Sequence, residues 1–205
     1  MKDGITDLEK KIPSNVENED FQNFEKLVNI ETTQADAPLA MEIKKNIPIY
    51  SGQFVRDRAN SFEGKQELLT EWTSVFESGA GIIAISNAIE STSVVETATT
   101  NFEEIINSEK LNGNVGDHFA KPGANDRIWN SLQKHCMKDP QNFIDYYCSE
   151  TIALASEAWL GPNYQVTAQV NRVNPGGEAQ KAHRDYHLGF MSAEQSANFP
   201  LHVHA

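Results

Sequence analysis

Cysteine is scarce in this sequence, and its scarcity excludes two classes of small protein. The 205 residues include two cysteines, Cys136 and Cys148, and neither belongs to a Cys-x-x-Cys pair. That count and spacing support neither a zinc knuckle nor a disulfide-rich scaffold. Because free cysteines without a disulfide framework are typical of reducing compartments, we expect a cytoplasmic protein.

Long apolar runs and clustered basic charge are also missing. The longest apolar run, residues 80–85, has the length of a strand and falls far short of the roughly 20 residues that cross a bilayer. The N-terminus lacks the apolar core and small-residue cleavage site of a secretory signal. Lys and Arg number 17 against 29 Asp and Glu, a net charge of −12. Nucleic-acid binding needs clustered positive charge, so we expect neither a membrane nor a nucleic-acid partner.

The length suits one domain, and the patterning divides it into an arm and a body. Residues 1–59 are polar and acidic with one short amphipathic helix, and we interpret them as an N-terminal arm. Residues 60–205 carry the stronger patterns. They include a helix capped at Asn60, a buried strand near residues 81–86, and a long helix that begins at Asp139. This mixture predicts an α+β fold.

A segment near the C-terminus alternates between apolar and polar residues, as a half-buried strand does. The predicted strand covers residues 164–173, and residues 174–177 read Asn-Pro-Gly-Gly, the composition of a turn. A second extended segment, about 182–190, follows. The four polar side chains of the first strand share one face and predict a wet or ligand-lined pocket: Gln165, Thr167, Gln169 and Asn171.

The second extended segment carries the residues that suggest chemistry. His183 and Asp185 project to the same side of a strand, with Cα atoms about 7 Å apart, so their side chains can converge on one ion. Histidine, carboxylate and a second histidine form the facial triad of non-haem iron oxygenases. His187 shares the same parity and is expected behind the metal ligands or in the pocket wall. The same spacing also suits an ordinary His–Asp pair on a surface hairpin. Surface roles are expected for His118 and His135.

Residues 165–190 resemble the phytanoyl-CoA dioxygenase family, in the order of strand, Pro-Gly turn, His-x-Asp and Tyr-His-Leu-Gly-Phe. The resemblance implies a double-stranded β-helix, or jelly roll, with flanking helices, and an oxygenase that uses Fe(II) and 2-oxoglutarate on a small-molecule substrate. It implies that His183 and Asp185 match two metal ligands, and that Gln169 and Asn171 line the cofactor pocket.

The family's distal histidine and its 2-oxoglutarate-binding arginine have no match after His183 in this sequence. A jelly roll also needs eight strands, and the sequence predicts about four. We therefore expect residues 60–205 to be the N-terminal part of a jelly-roll domain, and residues 1–205 alone not to convert 2-oxoglutarate. Two alternatives remain: a non-catalytic, truncated or degenerate jelly roll that acts as a binding module, and a local metal site of His183, Asp185 and His187.

Overall fold

The computed structural model describes residues 19–113 and 123–177, which form helices and short strands. The helices are α1 (Glu19–Val28), α2 (Gly52–Ala59), α3 (Phe62–Glu77), α4 (Thr92–Leu111), α5 (Ser131–Lys138), α6 (Pro140–Tyr147) and α7 (Glu150–Leu160). The strands are β1 (Glu42–Lys44), β2 (Ile47–Ser51), β3 (Ala84–Ser86), β4 (Asn125–Ile128) and β5 (Val170–Val173). Within these two stretches, no helix has both the length and the apolar character needed to span a membrane.

The α+β class is confirmed, whereas the jelly roll is not. In the described part of the chain the strands form a three-stranded sheet, β1-β2-β3, and a separate two-stranded sheet, β4-β5. The strand predicted over residues 164–173 is reduced to β5, because only its last four residues pair with another described strand. The second extended segment, residues 182–190, lies outside the described residues.

The first sheet joins neighbouring and distant parts of the chain. β1 and β2 form an antiparallel hairpin whose two connecting residues, Lys45 and Asn46, have φ angles of 52° and 65°. Positive φ at both positions is the signature of a type I′ turn, whose twist matches that of the flanking strands. β2 also pairs in parallel with β3, and α2 and α3 lie between those two strands in sequence.

Part of the segment interpreted as a polar arm packs into the main core. Tyr50 and Val55 are fully buried together with Leu68 and Trp72 of α3, and the rings of Tyr50 and Trp72 meet edge to face at 5.5 Å. Leu154 in α7 belongs to the same cluster. Residues 37–59 are therefore integral to this core, and a domain boundary after residue 59 stays a prediction.

Helix boundaries differ from the predicted ones by small steps with clear causes. α3 is capped by Ser61 rather than Asn60, since the Ser61 hydroxyl accepts a hydrogen bond from the Gly64 backbone N–H at 3.0 Å. Asp139 caps α6 as expected, through a 3.0 Å bond from the Asn142 N–H. The long helix predicted from Asp139 ends at Tyr147. Ser149 is extended (ψ 114°) and is the N-cap residue of a separate helix, α7.

Candidate functional site

The strongest sequence candidates, His183, Asp185 and His187, lie outside the described residues, so their roles stay predictions. Gln169 and Asn171 are described, and both are exposed. Asn171 is in β5 and Gln169 immediately precedes it; the turn at residues 174–177 and the predicted metal ligands follow in the sequence. The described part of the candidate site is the β4-β5 ladder, which precedes those ligands in the sequence.

One face of this ladder is polar, with Gln169 and Asn171 exposed and Arg127 half-buried. Arg127 of β4 lies directly opposite Asn171 of β5, and paired residues of an antiparallel ladder project to the same side. The Arg127 guanidinium donates a hydrogen bond to the Gln169 side-chain oxygen at 3.3 Å. The guanidinium also lies over the Trp129 ring, 5.1 Å from its centroid. A cation and two amides thus share one face, an arrangement that suits the binding of a small anion.

Arg127 is the residue that sequence reasoning missed. The sequence predicts a loop over residues 111–127, because Gly113, Gly116, Pro122 and Gly123 fall within it. In the structure, Asn125–Ile128 is a strand in which Arg127 is half-buried and the other three residues are buried. The signal in the sequence is the Arg127-x-Trp129 spacing, which places a cation and an aromatic ring two residues apart, as neighbours on one side of an extended chain.

The opposite face of the ladder is organised by a buried carboxylate, Asp126. Its side chain is 3% exposed and contacts Lys110 Nζ at 2.6 Å and Arg172 Nη2 at 2.6 Å. Asn174 Nδ2 donates a third bond at 3.2 Å. The alternation of residues 164–173 predicts Arg172 on the face of Val170, opposite Gln169 and Asn171, and the structure confirms this facing. That face is not purely apolar, because Arg172 has a buried acid, Asp126, as its cross-strand partner.

These contacts set the ionisation of Asp126. Burial alone would raise the pKa of its carboxyl, but hydrogen bonds from Lys110, Arg172 and Asn174 outweigh burial and hold that pKa below its usual value. The group is therefore a carboxylate in the folded protein at neutral pH and well into the acid range.

Asp126→Asn is expected to remove part of the acid sensitivity of folding. The folded-state pKa of Asp126 lies below the unfolded value of about 3.9, so its ionised form stabilises the fold above that pH. This contribution is lost as pH falls through the folded pKa, at no more than about 1.4 kcal/mol per pH unit. Urea unfolding from pH 7 to 3 measures the effect, with Asp145→Asn, an exposed carboxylate on α6, as the control. Parallel pH profiles for wild type and Asp126→Asn would contradict the assignment.

The predicted turn after β5 is confirmed. The Gly177 N–H donates to the Asn174 carbonyl at 2.8 Å, and Gly176 between them has a φ of 84°. Proline followed by a residue of positive φ is the signature of a type II turn. A Cβ atom at Gly177 would lie 2.8 Å from the Ala124 carbonyl oxygen, so the turn packs tightly against the start of β4. The turn thus holds Gly177 in a fixed position beside β4.

His135, which the sequence placed on the surface, is fully buried. Its Nε2 lies 2.8 Å from the Asn142 side-chain oxygen, and Asn142 donates in turn to the Val94 carbonyl at 3.0 Å. Phe102 packs edge to face on the imidazole at 4.8 Å. Because Asn142 uses its amide nitrogen elsewhere, its oxygen accepts from Nε2–H, and His135 is a core residue that joins α4, α5 and α6.

Residues 19–113 and 123–177 contain no cluster of three or more His, Cys, Asp or Glu that could hold a metal ion.

One comparison with known protein families matches the part of the chain that contains these features. The profile of the family described as phytanoyl-CoA dioxygenase matches residues 79–204, which is more than half of the chain. No curated protein and no solved structure matches the chain. The matched range contains the β4-β5 ladder, the type II turn and the His-x-Asp segment. The chain belongs to the phytanoyl-CoA dioxygenase family.

Proposed function

We propose that this protein is an Fe(II)- and 2-oxoglutarate-dependent oxygenase that hydroxylates a small molecule. The family is a dioxygenase family, and the observation that carries the proposal is the polar face of β4-β5. Arg127, Gln169 and Asn171 lie together on that face, and the segment with His183 and Asp185 follows β5 in the sequence. An imidazole with a carboxylate suits Fe(II), and a guanidinium suits a carboxylate of the cosubstrate.

The residues of this chain have separate tasks under the proposal. His183 and Asp185 would hold the metal. Arg127 would bind a carboxylate of 2-oxoglutarate through its planar donor group, while Gln169 and Asn171 would orient the bound anion by hydrogen bonds. When bound, Fe(II) and 2-oxoglutarate supply the oxidation, in which O₂ gives one oxygen atom to the hydroxylated product and one to succinate, with release of CO₂.

A CoA thioester is disfavoured as the substrate despite the family's name. Recognition of CoA phosphates calls for several basic side chains, and residues 151–205 contain three: Arg172, Lys181 and Arg184. Arg172 is already engaged with Asp126 and, at 3.7 Å, with Glu103. We therefore propose a smaller and less phosphorylated substrate.

His183→Ala is expected to abolish cosubstrate-dependent binding of Fe(II). The measurement is an anaerobic titration of the purified protein with Fe(II), with and without 2-oxoglutarate, followed by the weak visible charge-transfer absorption of the ternary complex. His187→Ala is the matched control, because it removes an imidazole from the same segment. Loss in His183→Ala alone supports the proposal, whereas loss in both variants favours a local three-residue metal site.

The opposite result would favour the non-catalytic alternative. If wild-type protein develops no absorption and calorimetry detects no binding of Fe(II) with 2-oxoglutarate, the oxygenase proposal fails. A jelly-roll-related binding module is then the better interpretation.

A further inference from the structure

Asp126 joins three elements that are separate in sequence. Lys110 is near the end of α4, Arg172 is in β5, and Asn174 opens the type II turn. Two of the contacts come from one guanidinium, since Arg172 Nη2 and Nε lie 2.6 and 3.2 Å from the same carboxylate oxygen. Lys110 binds the other oxygen. Both oxygens of the carboxylate are therefore engaged.

The position of this cluster gives it more than a packing role. A buried carboxylate is costly unless paired, and apolar side chains of similar size often stabilise a fold equally well. Asp126 and Arg172 are also cross-strand partners, so their pairing fits only one register of β4 against β5. A slip of β5 by one residue would move Asn171 to the face opposite Arg127.

We propose that Asp126 is a positioning residue for the polar face formed by Arg127, Gln169 and Asn171, called the anion-binding face below. Its carboxylate holds β5 and the Asn174 turn against α4 and fixes the register that places Arg127 beside Asn171. It also fixes the point at which the chain departs toward His183. This inference rests on the proposed function for its consequence in binding, but not for the contacts themselves.

The first experiment needs no metal. Amide hydrogen exchange of the full protein is measured for residues 170–177 in wild type, Asp126→Asn and Asp126→Glu. We expect protection to fall at least about tenfold in Asp126→Asn and to be partly restored in Asp126→Glu, because glutamate keeps the charge that binds Arg172 and Lys110. Lys65→Met is the control, since it breaks a different inter-helix ion pair, Lys65–Glu157 at 2.9 Å.

The second experiment measures 2-oxoglutarate affinity of the Fe(II)-loaded protein by calorimetry. We expect Asp126→Asn to weaken binding about 10- to 100-fold, the range for residues that orient ligand-binding groups. Asp126→Glu should recover part of it, and Lys65→Met should bind as wild type. Lys110→Met removes one contact from an exposed amine and covers the case in which Asp126→Asn does not fold; a loss of several-fold is expected.

The two proposals fail in different ways. If wild type does not bind 2-oxoglutarate, the proposed function is overturned, and hydrogen exchange alone decides the positioning role. Unchanged protection of residues 170–177 in Asp126→Asn and Lys110→Met overturns the positioning role. So does reduced protection with affinity within twofold of wild type, because Asp126 would then stabilise the fold without placing the binding face.

Discussion

Arg127→Ala is expected to weaken 2-oxoglutarate binding to the Fe(II)-loaded protein by about two orders of magnitude. Truncating one partner of a close charge pair costs about 2–5 kcal/mol, and 1.4 kcal/mol corresponds to tenfold. Binding of Fe(II) by itself should change little, because the guanidinium is proposed to bind the cosubstrate rather than the metal. Anaerobic calorimetry of both ligands separates the two effects.

Two further arginine variants serve as controls for this prediction. Arg56→Ala removes a guanidinium of α2 that donates to the carbonyl of Asn87, the residue after β3, at 3.0 Å. Arg127→Lys keeps the charge but loses the planar fork, and should show an intermediate affinity. If Arg127→Ala binds 2-oxoglutarate as tightly as Arg56→Ala, the polar face of β4-β5 is not the cosubstrate site.

Glu71→Ala is expected to lower the free energy of unfolding by about 3 kcal/mol, the range for leaving buried polar groups unsatisfied. Glu71 is 8% exposed and accepts two hydrogen bonds, from the Tyr50 hydroxyl at 2.7 Å and from the Leu39 N–H at 2.9 Å. Both donors would lose their partner. Burial, followed by the bond to Glu71 and its charge, raises the pKa of Tyr50 well above its usual value, so the hydroxyl remains a donor.

Urea unfolding measures this loss, and an unchanged m-value keeps the comparison valid. Glu67→Ala is the matched control on the same helix, since it removes an exposed carboxylate that pairs with Arg58. Exposed pairs contribute about 0–1 kcal/mol. The loss of unfolding free energy in Tyr50→Phe should lie between those of Glu71→Ala and Glu67→Ala, because Tyr50→Phe removes one hydrogen bond and little volume. Equal losses in Glu71→Ala and Glu67→Ala would show that the buried bonds contribute nothing.

The parts of this fold that follow from local rules were predictable from the sequence. The Asp139 cap and the Asn174–Gly177 turn depend on a few adjacent residues, and both form as expected. The extent of β5 and the burial of His135 depend on partners far along the chain. Arg127 contacts Gln169 across 42 positions, and His135 owes its burial partly to Phe102 in another helix. Periodicity along a single segment carries no information about such partners.

In the candidate site, too, the residues within one sequence segment were predictable and those set by strand pairing were not. The resemblance in residues 165–190 identified the family, and the family profile confirms it over residues 79–204. It also pointed to Gln169 and Asn171, which the structure brings to one face with Arg127. It did not point to Arg127 or Asp126, because the contribution of β4 arises from strand pairing. Cross-strand neighbours are set by tertiary structure, and no single sequence segment contains them.

The parallel pairing of β2 with β3 has a consequence for how this chain folds during synthesis. Ile49 pairs with Ala84, and the core around Tyr50 also requires Leu154 from α7. Such distant contacts close slowly, and a nascent chain leaves the ribosome from its N-terminus. Tyr50, Val55 and Trp72 can contact one another as soon as α3 has been made, but the side of this core that α7 covers stays open until Leu154 has been synthesised. During that interval the N-terminal half exposes part of its apolar core to solvent.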